Sequence, residues 1–133
     1  MVTEAQRKQL LAAAQGAREK AYAPYSDYKV GAALLTADGH IYSGANVENA
    51  SYGLTVCAER VALLKALSEG VKRFRALAVV TAAKELTPPC GACRQLLWEY
   101  CGDIPVYLSN LRGKVSRHTL AELFPRPFDE RFL

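Results

Sequence analysis

No segment of the sequence is apolar for long enough to cross a lipid bilayer. The longest apolar stretch, residues 76–83, is far shorter than the roughly 20 residues of a spanning helix. Residues 1–8 lack the basic-then-apolar order of a secretory signal, so we expect a cytoplasmic protein with no membrane partner. The formal net charge of +4 is spread over short runs of cations. Because nucleic-acid binding requires cations clustered on one face, we expect no nucleic-acid partner.

Internal repeats, low-complexity tracts and linker-like segments are absent as well. We therefore expect residues 1–133 to form a single domain. Half of the residues are hydrophobic and 23% are charged, which is ordinary for a globular protein. A chain of this length buries about two thirds of the surface that its unfolded state exposes. The composition thus provides for one hydrophobic core.

The hydrophobic pattern predicts helices and strands in the order α-β-β-α-β-α-β-β-α. We predict helices at about residues 3–22, 58–68 and 91–100, and a short closing helix with a Thr119/Glu122 capping box. We predict strands at about residues 30–36, 41–45, 77–82, 106–109 and 114–116. This order predicts an α/β fold, a three-layer α-β-α sandwich around a five-stranded mixed sheet.

Local signals predict where several of these elements begin and end. Thr3 and Gln6 are spaced as a capping box for the first helix, and Pro24 is expected to end that helix. Asp38-Gly39 predicts a hairpin between the first two strands, because glycine accepts positive φ. The apolar run 77–82 predicts a buried central strand.

The predicted helix at residues 58–68 carries apolar residues at helical spacing. We expect Val61, Leu64 and Leu67 to face the core. Gly70 is expected to end this helix, because glycine is the usual residue just beyond a helix terminus.

The four cysteines at positions 57, 90, 93 and 101 are the main chemical signal. An even number of cysteines indicates disulfides in a secreted chain, but nothing in the sequence indicates secretion. Cys90 and Cys93 are three residues apart at a predicted helix start, so their side chains share one face. By itself, such a pair is also typical of a structural zinc half-site, a redox pair or two core thiols.

The upstream segment Cys57-Ala58-Glu59 favours a catalytic zinc site. Three thiolates leave tetrahedral zinc one open position, as in catalytic rather than structural sites. We expect Cys57 to be the third ligand, because eight residues place Cys101 about 12 Å from Cys93 along a helix. Cys57 and Glu59 can face one site if Cys57 caps the helix and Glu59 lies in its first turn. Arg60 would then offset part of the negative charge of the thiolates.

With these residues in place, the sequence resembles the small cytidine deaminase family of zinc nucleoside deaminases. The Cys-Ala-Glu and Pro-Cys-x-x-Cys pattern is typical of the deaminase superfamily. A cysteine as first ligand, where several related deaminases have histidine, favours the small cytidine deaminases. The resemblance covers nearly the whole chain and rests on five segments: Tyr22-Ala23-Pro24-Tyr25-Ser26, Val30-Gly31-Ala32-Ala33-Leu34, Asn46-Val47-Glu48-Asn49-Ala50-Ser51-Tyr52, Cys57-Ala58-Glu59-Arg60 and Pro89-Cys90-Gly91-Ala92-Cys93-Arg94-Gln95.

The resemblance implies a hydrolase with one Zn²⁺ per chain that deaminates cytidine and deoxycytidine in pyrimidine salvage. It implies that Cys57, Cys90 and Cys93 bind the metal. Glu59 is implied as the catalytic residue, which acts first as a base and then as an acid while water replaces the amino group. It also implies a homotetramer in which neighbouring subunits share active sites.

The resemblance further implies which residues bind the substrate. Asn46 and Glu48 are expected at the ribose 3′-hydroxyl, although an ordinary polar loop is the alternative. Tyr28 stands where relatives commonly have a phenylalanine that contacts the base. Phe128 matches an aromatic residue that relatives place in a neighbour's site, and a local anchor for the tail is the alternative. The remaining loop residues implied to line the nucleoside site are Val47, Asn49, Ala50, Ser51 and Tyr52.

Three other functions compete with this hypothesis. A blasticidin-type deaminase also uses a Cys-Ala-Glu motif, but the loop at residues 46–50 favours a plain nucleoside. A polynucleotide editor requires a concentrated basic channel, which the sequence lacks. A binding module with structural zinc leaves Glu59 unexplained and provides only three obvious thiolates.

Overall fold

The computed structural model describes all residues from 1 to 133 and contains one five-stranded sheet. The helices are α1 (Glu4–Arg18), α2 (Ala58–Ser68), α3 (Gly91–Cys101) and α4 (Leu120–Leu123). The strands are β1 (Val30–Thr36), β2 (Ile41–Ala45), β3 (Phe74–Thr81), β4 (Pro105–Asn110) and β5 (Val115–Thr119), and two 3-10 turns lie at Tyr52–Leu54 and Glu130–Phe132. The order of helices and strands is the predicted one. No helix combines the length and hydrophobicity that crossing a membrane requires.

The sheet is mixed, with strand order β2-β1-β3-β4-β5. Only β3 and β4 run parallel, whereas β1 pairs antiparallel with both β2 and β3, and β4 pairs antiparallel with β5. The central strand β3 is buried along almost its whole length, as its apolar sequence predicted. The chain crosses from β3 to β4 through α3, so the segment after β3 leads directly to Cys90.

Apolar side chains form a core on each face of the sheet. Alternate residues of β1 point to opposite faces, so that Leu34 belongs to one core and Leu35 to the other. Helices α2, α3 and α4 pack on the first face, and α1 covers the second. The predicted three-layer α-β-α sandwich is confirmed.

The carboxyl end of α1 differs from the prediction. The helix ends at Arg18 rather than near residue 22, and Pro24 therefore does not end it. The reason is a competing backbone pairing: the N–H of Tyr22 donates to the carbonyl of Asn46, and the N–H of Glu48 donates to the carbonyl of Tyr22. Tyr22 thus pairs with the segment that follows β2 instead of continuing the helix.

The inward face of α2 was predicted correctly only in part. Leu67 is half-buried and packs against the core, whereas Leu64 is 49% exposed and Val61 is half-buried outside that core. The helix lies so close to β2 that a Cβ at Gly44 would stand 2.6 Å from the Ala62 nitrogen. Small side chains therefore face the sheet over most of this contact. The buried residues of α2 are Ala58, Glu59, Ala62, Leu63 and Ala66.

Helix α1 contacts β1 at Gly31, where there is no room for a side chain. A Cβ there would overlap the carbonyl of Ala14 and lie 2.6 Å from the Arg18 nitrogen. We expect Gly31→Ala to lower the free energy of unfolding by about 1–3 kcal/mol, because backbone atoms must move. Gly16→Ala in α1 is the control: its Cβ meets nothing within 4 Å, and a gain of about 0.5–1 kcal/mol is expected. Urea denaturation measures both, and equal stabilities would contradict the close packing.

Candidate active site

Two helix amino termini converge on one point of the structure. Cys57 is the N-cap of α2 (φ −71°, ψ 153°) and Cys90 is the N-cap of α3 (φ −67°, ψ 170°). Cys93 follows in the first turn of α3 and is fully buried. Because the cap residue is extended rather than helical, Cys57 and Glu59 can face the same site, as the sequence analysis required. The two helix dipoles add partial positive charge that favours thiolates there.

The three sulfurs have the spacing of metal ligands. The Sγ atoms of Cys57 and Cys90 are 3.8 Å apart, those of Cys90 and Cys93 are 3.4 Å apart, and all three lie within 4.8 Å of one another. A tetrahedral zinc ion with Zn–S bonds of about 2.3 Å requires sulfurs about 3.8 Å apart. All four cysteines are free. The donor set therefore fits zinc, and only small adjustments in sulfur spacing are needed.

Arg60 supports the charge of this cluster. Its Nη2 lies 3.7 Å from Cys57 Sγ and donates to the Thr55 carbonyl at 3.1 Å. Hydrogen bonds from Cys93 and Arg60 hold the pKa of the Cys57 thiol at about 5, far below its ordinary value. The pKa of the Cys93 thiol is raised, because its proton is shared with Cys57 and because it is buried. Cys57 thus carries the thiolate that Arg60 stabilises.

Glu59 is a buried carboxyl beside the sulfur cluster. It is only 5% exposed. Burial raises its pKa to about 7, and the neighbouring Cys57 thiolate adds to the increase, while its own N–H and Arg60 partly oppose it. A carboxyl with a pKa close to neutrality can both accept and donate a proton under physiological conditions. Its environment is therefore that of an acid–base group rather than of a solvated surface acid.

A cavity of about 240 Å³ lies in front of this carboxyl and the sulfur cluster. A wider depression of about 380 Å³ adjoins it, shares Ser26, Glu48 and Thr55 with it, and adds Tyr25 and Tyr52. The cavity brings together six of the predicted site residues. Its lining residues are Ser26, Tyr28, Val30, Asn46, Glu48, Thr55, Cys57, Ala58, Glu59, Val79, Thr87, Pro88 and Cys90.

Asn46 is buried at the cavity wall and already has two backbone partners. Its Oδ1 accepts a hydrogen bond from the Val30 N–H at 2.9 Å, and its Nδ2 donates to the Tyr28 carbonyl at 2.8 Å. The side chain therefore holds the strand segment that leads into β1. A primary amide has a second N–H and a further lone pair, so Asn46 keeps capacity for two more hydrogen bonds.

Glu48 is held by the turn before Tyr28. Its Oε1 accepts hydrogen bonds from the N–H groups of Tyr25 at 2.9 Å and Ser26 at 3.1 Å, and its Oε2 accepts from the Ser26 hydroxyl. The Ser26 hydroxyl, followed by these N–H groups, lowers the pKa of the Glu48 carboxyl. Glu48 is therefore a fixed carboxylate at the boundary between the cavity and the wider depression.

The other predicted loop residues do not line the cavity of this chain. Val47 forms isolated β-bridges with Tyr22 and Val56, and it lines a groove between α1 and α2 instead. Asn49 accepts a hydrogen bond from the Ser51 N–H and so shapes the turn that also contains Ala50. Tyr52 lies in the wider depression, where its ring packs against that of Tyr25 at 6.1 Å. The role predicted for Val47, Asn49, Ala50 and Ser51 in a site shared between subunits stays a prediction.

Phe128 lies outside the cavity, on the carboxyl-terminal tail, which hydrogen bonds attach to α3. Its carbonyl accepts a hydrogen bond from Gln95 at 2.9 Å, and Trp98 donates to Asp129 at 3.0 Å, so α3 holds the tail. Phe128 is 57% exposed, and its ring stacks on that of Phe132 with the centroids 5.8 Å apart. The backbone is thus anchored locally, while the ring is free to contact another molecule.

Cys101 lies outside the sulfur cluster, as expected from its position at the far end of α3. Burial raises the pKa of its thiol to about 12. It packs against the core on the α2 and α3 side of the sheet. Cys101 therefore behaves as a small apolar residue.

Several cavity residues were missed in the sequence analysis. Ser26 belongs to a segment that carried the family resemblance, so that segment could have revealed it. Thr55 lies in the same loop as the predicted substrate residues. Thr87 had no signal at all, because it is a single threonine before Pro88-Pro89, and only the fold brings it to Tyr28.

Comparisons with known proteins agree with this geometry. The family model described as the cytidine and deoxycytidylate deaminase zinc-binding region matches residues 4–108. The cytidine deaminase of Sporosarcina psychrophila is 51% identical over 127 residues, covering 95% of this chain and 93% of that protein. That of Halalkalibacterium halodurans is 55% identical over 123 residues, covering 92% and 93%. The crystal structure of a cytidine deaminase from Burkholderia pseudomallei superposes with a TM-score of 0.87 at 50% identity, covering 91% of this chain and 98% of that one.

A second kind of deaminase is also similar, though less so. The blasticidin-S deaminase of Bacillus cereus is 36% identical over 119 residues, covering 82% of this chain and 84% of that protein. Both kinds of relative are deaminases by name. The match over residues 4–108, the fold and the cysteine cluster agree, and the chain belongs to the zinc-binding cytidine and deoxycytidylate deaminase family of enzymes.

Proposed function

We propose that the chain hydrolytically deaminates cytidine and deoxycytidine, giving uridine or deoxyuridine and ammonia. The observation that carries this proposal is the Glu59 carboxyl, which is buried in the cavity wall beside the three-sulfur cluster. The two similar bacterial cytidine deaminases support the choice of substrate. Replacing an amino group by water requires protons to move between several atoms, which one carboxyl of near-neutral pKa can do.

Glu59 moves the protons of this reaction. Its carboxylate takes a proton from water as the water oxygen bonds to C4 of the pyrimidine, and the resulting carboxylic acid gives that proton to N3. Glu59 then carries the proton of the new C4 hydroxyl to the 4-amino group. The C4–N bond breaks, ammonia leaves, and the C4 carbonyl of the product remains.

Cys57, Cys90 and Cys93 are the residues that would hold zinc, one ion per chain. Zinc bound by these thiolates supplies a Lewis acid, which makes water acidic enough to lose a proton near neutral pH. Arg60 keeps the Cys57 sulfur in place at 3.7 Å and offsets part of the negative charge of the three thiolates.

Asn46 and Glu48 are the groups that we assign to the sugar. Each has hydrogen-bonding capacity beyond its contacts in the protein: a second N–H on Asn46, and further lone pairs on the Glu48 carboxylate. The Asn46 N–H can donate a hydrogen bond to a sugar hydroxyl, and the Glu48 carboxylate can accept one from the same hydroxyl. Because the 3′-hydroxyl is common to ribose and deoxyribose, we propose that both nucleosides are substrates.

We further propose that the 133 residues form a single catalytic domain that assembles into a homotetramer with shared active sites. A lone chain leaves Val47, Tyr52, Leu54 and Phe128 from 48% to 75% exposed, and a partner subunit would cover them. The Phe128 ring would then line the cavity of a neighbour. Four free cysteines suit a reducing compartment, so we place the enzyme in cytoplasmic pyrimidine salvage.

A panel of four substrates tests the proposal. Purified protein is incubated with cytidine, deoxycytidine, cytosine and deoxycytidylate, and loss of the 4-amino chromophore is followed by absorbance. We expect turnover of both nucleosides and little of cytosine, because the free base offers Asn46 and Glu48 no sugar. Inactivity towards both nucleosides would overturn the proposal.

A blasticidin-type aminonucleoside deaminase is the second candidate. The Cys57-Ala58-Glu59 motif and the 36% identity to the Bacillus cereus enzyme favour it. Adding blasticidin S to the panel separates the two functions. Turnover of blasticidin S without turnover of cytidine would favour this second function.

A further inference from the structure

The hydroxyl of Tyr28 is tied to the segment that leads to the metal centre. Tyr28 Oη and Thr87 Oγ1 are 2.7 Å apart, although the two residues are separated by 59 positions in the chain. Both side chains line the cavity in front of Glu59. A phenylalanine at position 28 could not make this contact, so the contact depends on the additional hydroxyl that tyrosine supplies.

Thr87 is itself fixed to the central strand. Its Oγ1 lies 3.2 Å from the hydroxyl of Thr81, a fully buried residue at the end of β3. The Thr81 hydroxyl also accepts a hydrogen bond from the Ala83 N–H at 3.2 Å. The three hydroxyls of Tyr28, Thr87 and Thr81 thus form a chain that ends on β3, the central strand of the sheet.

The link from Thr87 to the metal centre is short and stiff. Pro88 and Pro89 are the only residues between Thr87 and Cys90. Proline fixes φ near −65°, so this two-residue link has less torsional freedom than two other residues would have. We therefore expect a displacement of Thr87 to reach Cys90 in part.

The backbone of Tyr28 is also held, from the opposite side. Its carbonyl accepts the hydrogen bond from Asn46 Nδ2 at 2.8 Å, and its N–H donates to the Ser26 hydroxyl at 3.0 Å. With the hydroxyl bound to Thr87, the Tyr28 side chain is fixed at both ends. Tyr28 is 40% exposed and lines the cavity, where a flat base would contact its ring.

We propose that the Tyr28 hydroxyl is a positioning group, which through Thr87 holds the aromatic wall of the cavity in register with Cys90. The inference rests on the proposed nucleoside deamination, because the register matters for a planar base bound between the ring and the metal centre. Tyr28 and Thr87 then act on substrate affinity and on retention of the metal, not on proton transfer, which stays with Glu59. A ring fixed before binding lowers the entropy lost when the nucleoside binds.

The test combines Tyr28→Phe, Thr87→Val and the double variant. We expect each single variant to raise KM for cytidine about three- to tenfold, as for the loss of one hydrogen bond, with kcat changed less than twofold. We expect zinc release to a coloured chelator to become faster by a similar factor. The double variant should be no worse than Thr87→Val, because Thr87→Val already removes the partner of the Tyr28 hydroxyl as well as the contact with Thr81.

Two further variants separate positioning from general stability. Tyr42→Phe removes a comparable hydroxyl contact, to Glu69 at 3.0 Å, far from the cavity, and it should leave KM and zinc release unchanged. Thr87→Ser keeps the hydroxyl and should lie closer to wild type than Thr87→Val. Melting temperatures are measured for all variants, because a merely structural contact would change the melting temperature without changing KM.

The possible outcomes are distinct. Additive effects of Tyr28→Phe and Thr87→Val, or unchanged KM and zinc release in Tyr28→Phe, would overturn the positioning role. If wild-type protein deaminates neither nucleoside, the proposed function fails, but zinc release still tests the coupling between Tyr28 and Cys90. Faster zinc release without a change in KM would overturn the part of the inference that concerns the substrate.

Discussion

Replacing Glu59 by glutamine is expected to lower kcat for cytidine by about 10³–10⁴-fold, at the upper end of what general acid–base catalysis contributes. The reason is that a single carboxyl carries every proton of the proposed reaction. An amide of the same shape still fills its buried site but cannot exchange a proton. We therefore expect the zinc content and the melting temperature to stay close to those of wild type. Stopped-time assays by absorbance, metal analysis and calorimetry measure these quantities.

Glu99→Gln is the matched control for this experiment. It makes the same chemical change at an exposed carboxyl of α3, the helix that carries Cys93. We expect its kcat to equal that of wild type. Turnover within tenfold of wild type in Glu59→Gln would remove Glu59 from the mechanism. A loss of activity accompanied by a loss of zinc would instead assign Glu59 to the integrity of the metal site.

Replacing Cys57 by alanine is expected to abolish zinc retention. Two sulfurs remain, and the cap of α2 no longer reaches the metal. A ligand present at a thousandfold excess over its dissociation constant stabilises a folded protein by about 4 kcal/mol. Loss of zinc should therefore lower the melting temperature on the order of 10 °C. We expect the zinc content to fall from about one ion per chain to nearly none. Metal analysis and calorimetry with and without a chelator test this.

Cys101→Ala is the control for the cysteine experiment. This thiol is also partly buried, but it lies outside the three-sulfur cluster. We expect this variant to keep its zinc and to lose only about 1 kcal/mol of stability from the smaller side chain. A chelator should lower the melting temperature of wild type and Cys101→Ala, but not that of Cys57→Ala. Full zinc content in Cys57→Ala would contradict the assignment of the third ligand.

The helices and strands were predictable where the local sequence signals, such as capping residues and a turn glycine, were strong. The capping boxes at Thr3 and Thr119 are present, and the hairpin turns at Gly39 with φ +92°. The prediction failed where distant segments compete or pack closely. The end of α1 depends on a backbone pairing with Asn46, and the orientation of α2 depends on its approach to Gly44. Neither Asn46 nor Gly44 can be identified from the sequence of the helix whose end or orientation it affects.

The candidate site was predictable to a similar extent. The spacing of Cys90 and Cys93 and the upstream Cys57-Ala58-Glu59 segment identified the candidate ligands and acid–base group, because cap positions and first turns are local geometry. Tyr28 was expected at the site on resemblance alone. That its hydroxyl reaches Thr87 was not predictable, since no periodicity relates residues 59 positions apart.

By itself, the sequence determined which chemical groups the chain has and how each local segment folds: thiols at the starts of two helices, a carboxyl in the first turn of the earlier one, and a mixed α/β order. The tertiary structure decided everything that depends on distance. It alone places Cys57 3.8 Å from Cys90, 33 positions away, and it alone buries Glu59 until its pKa is about 7. The physical reason is that metal spacing and desolvation are set by neighbours from remote parts of the chain, which only packing of the sheet and helices brings together.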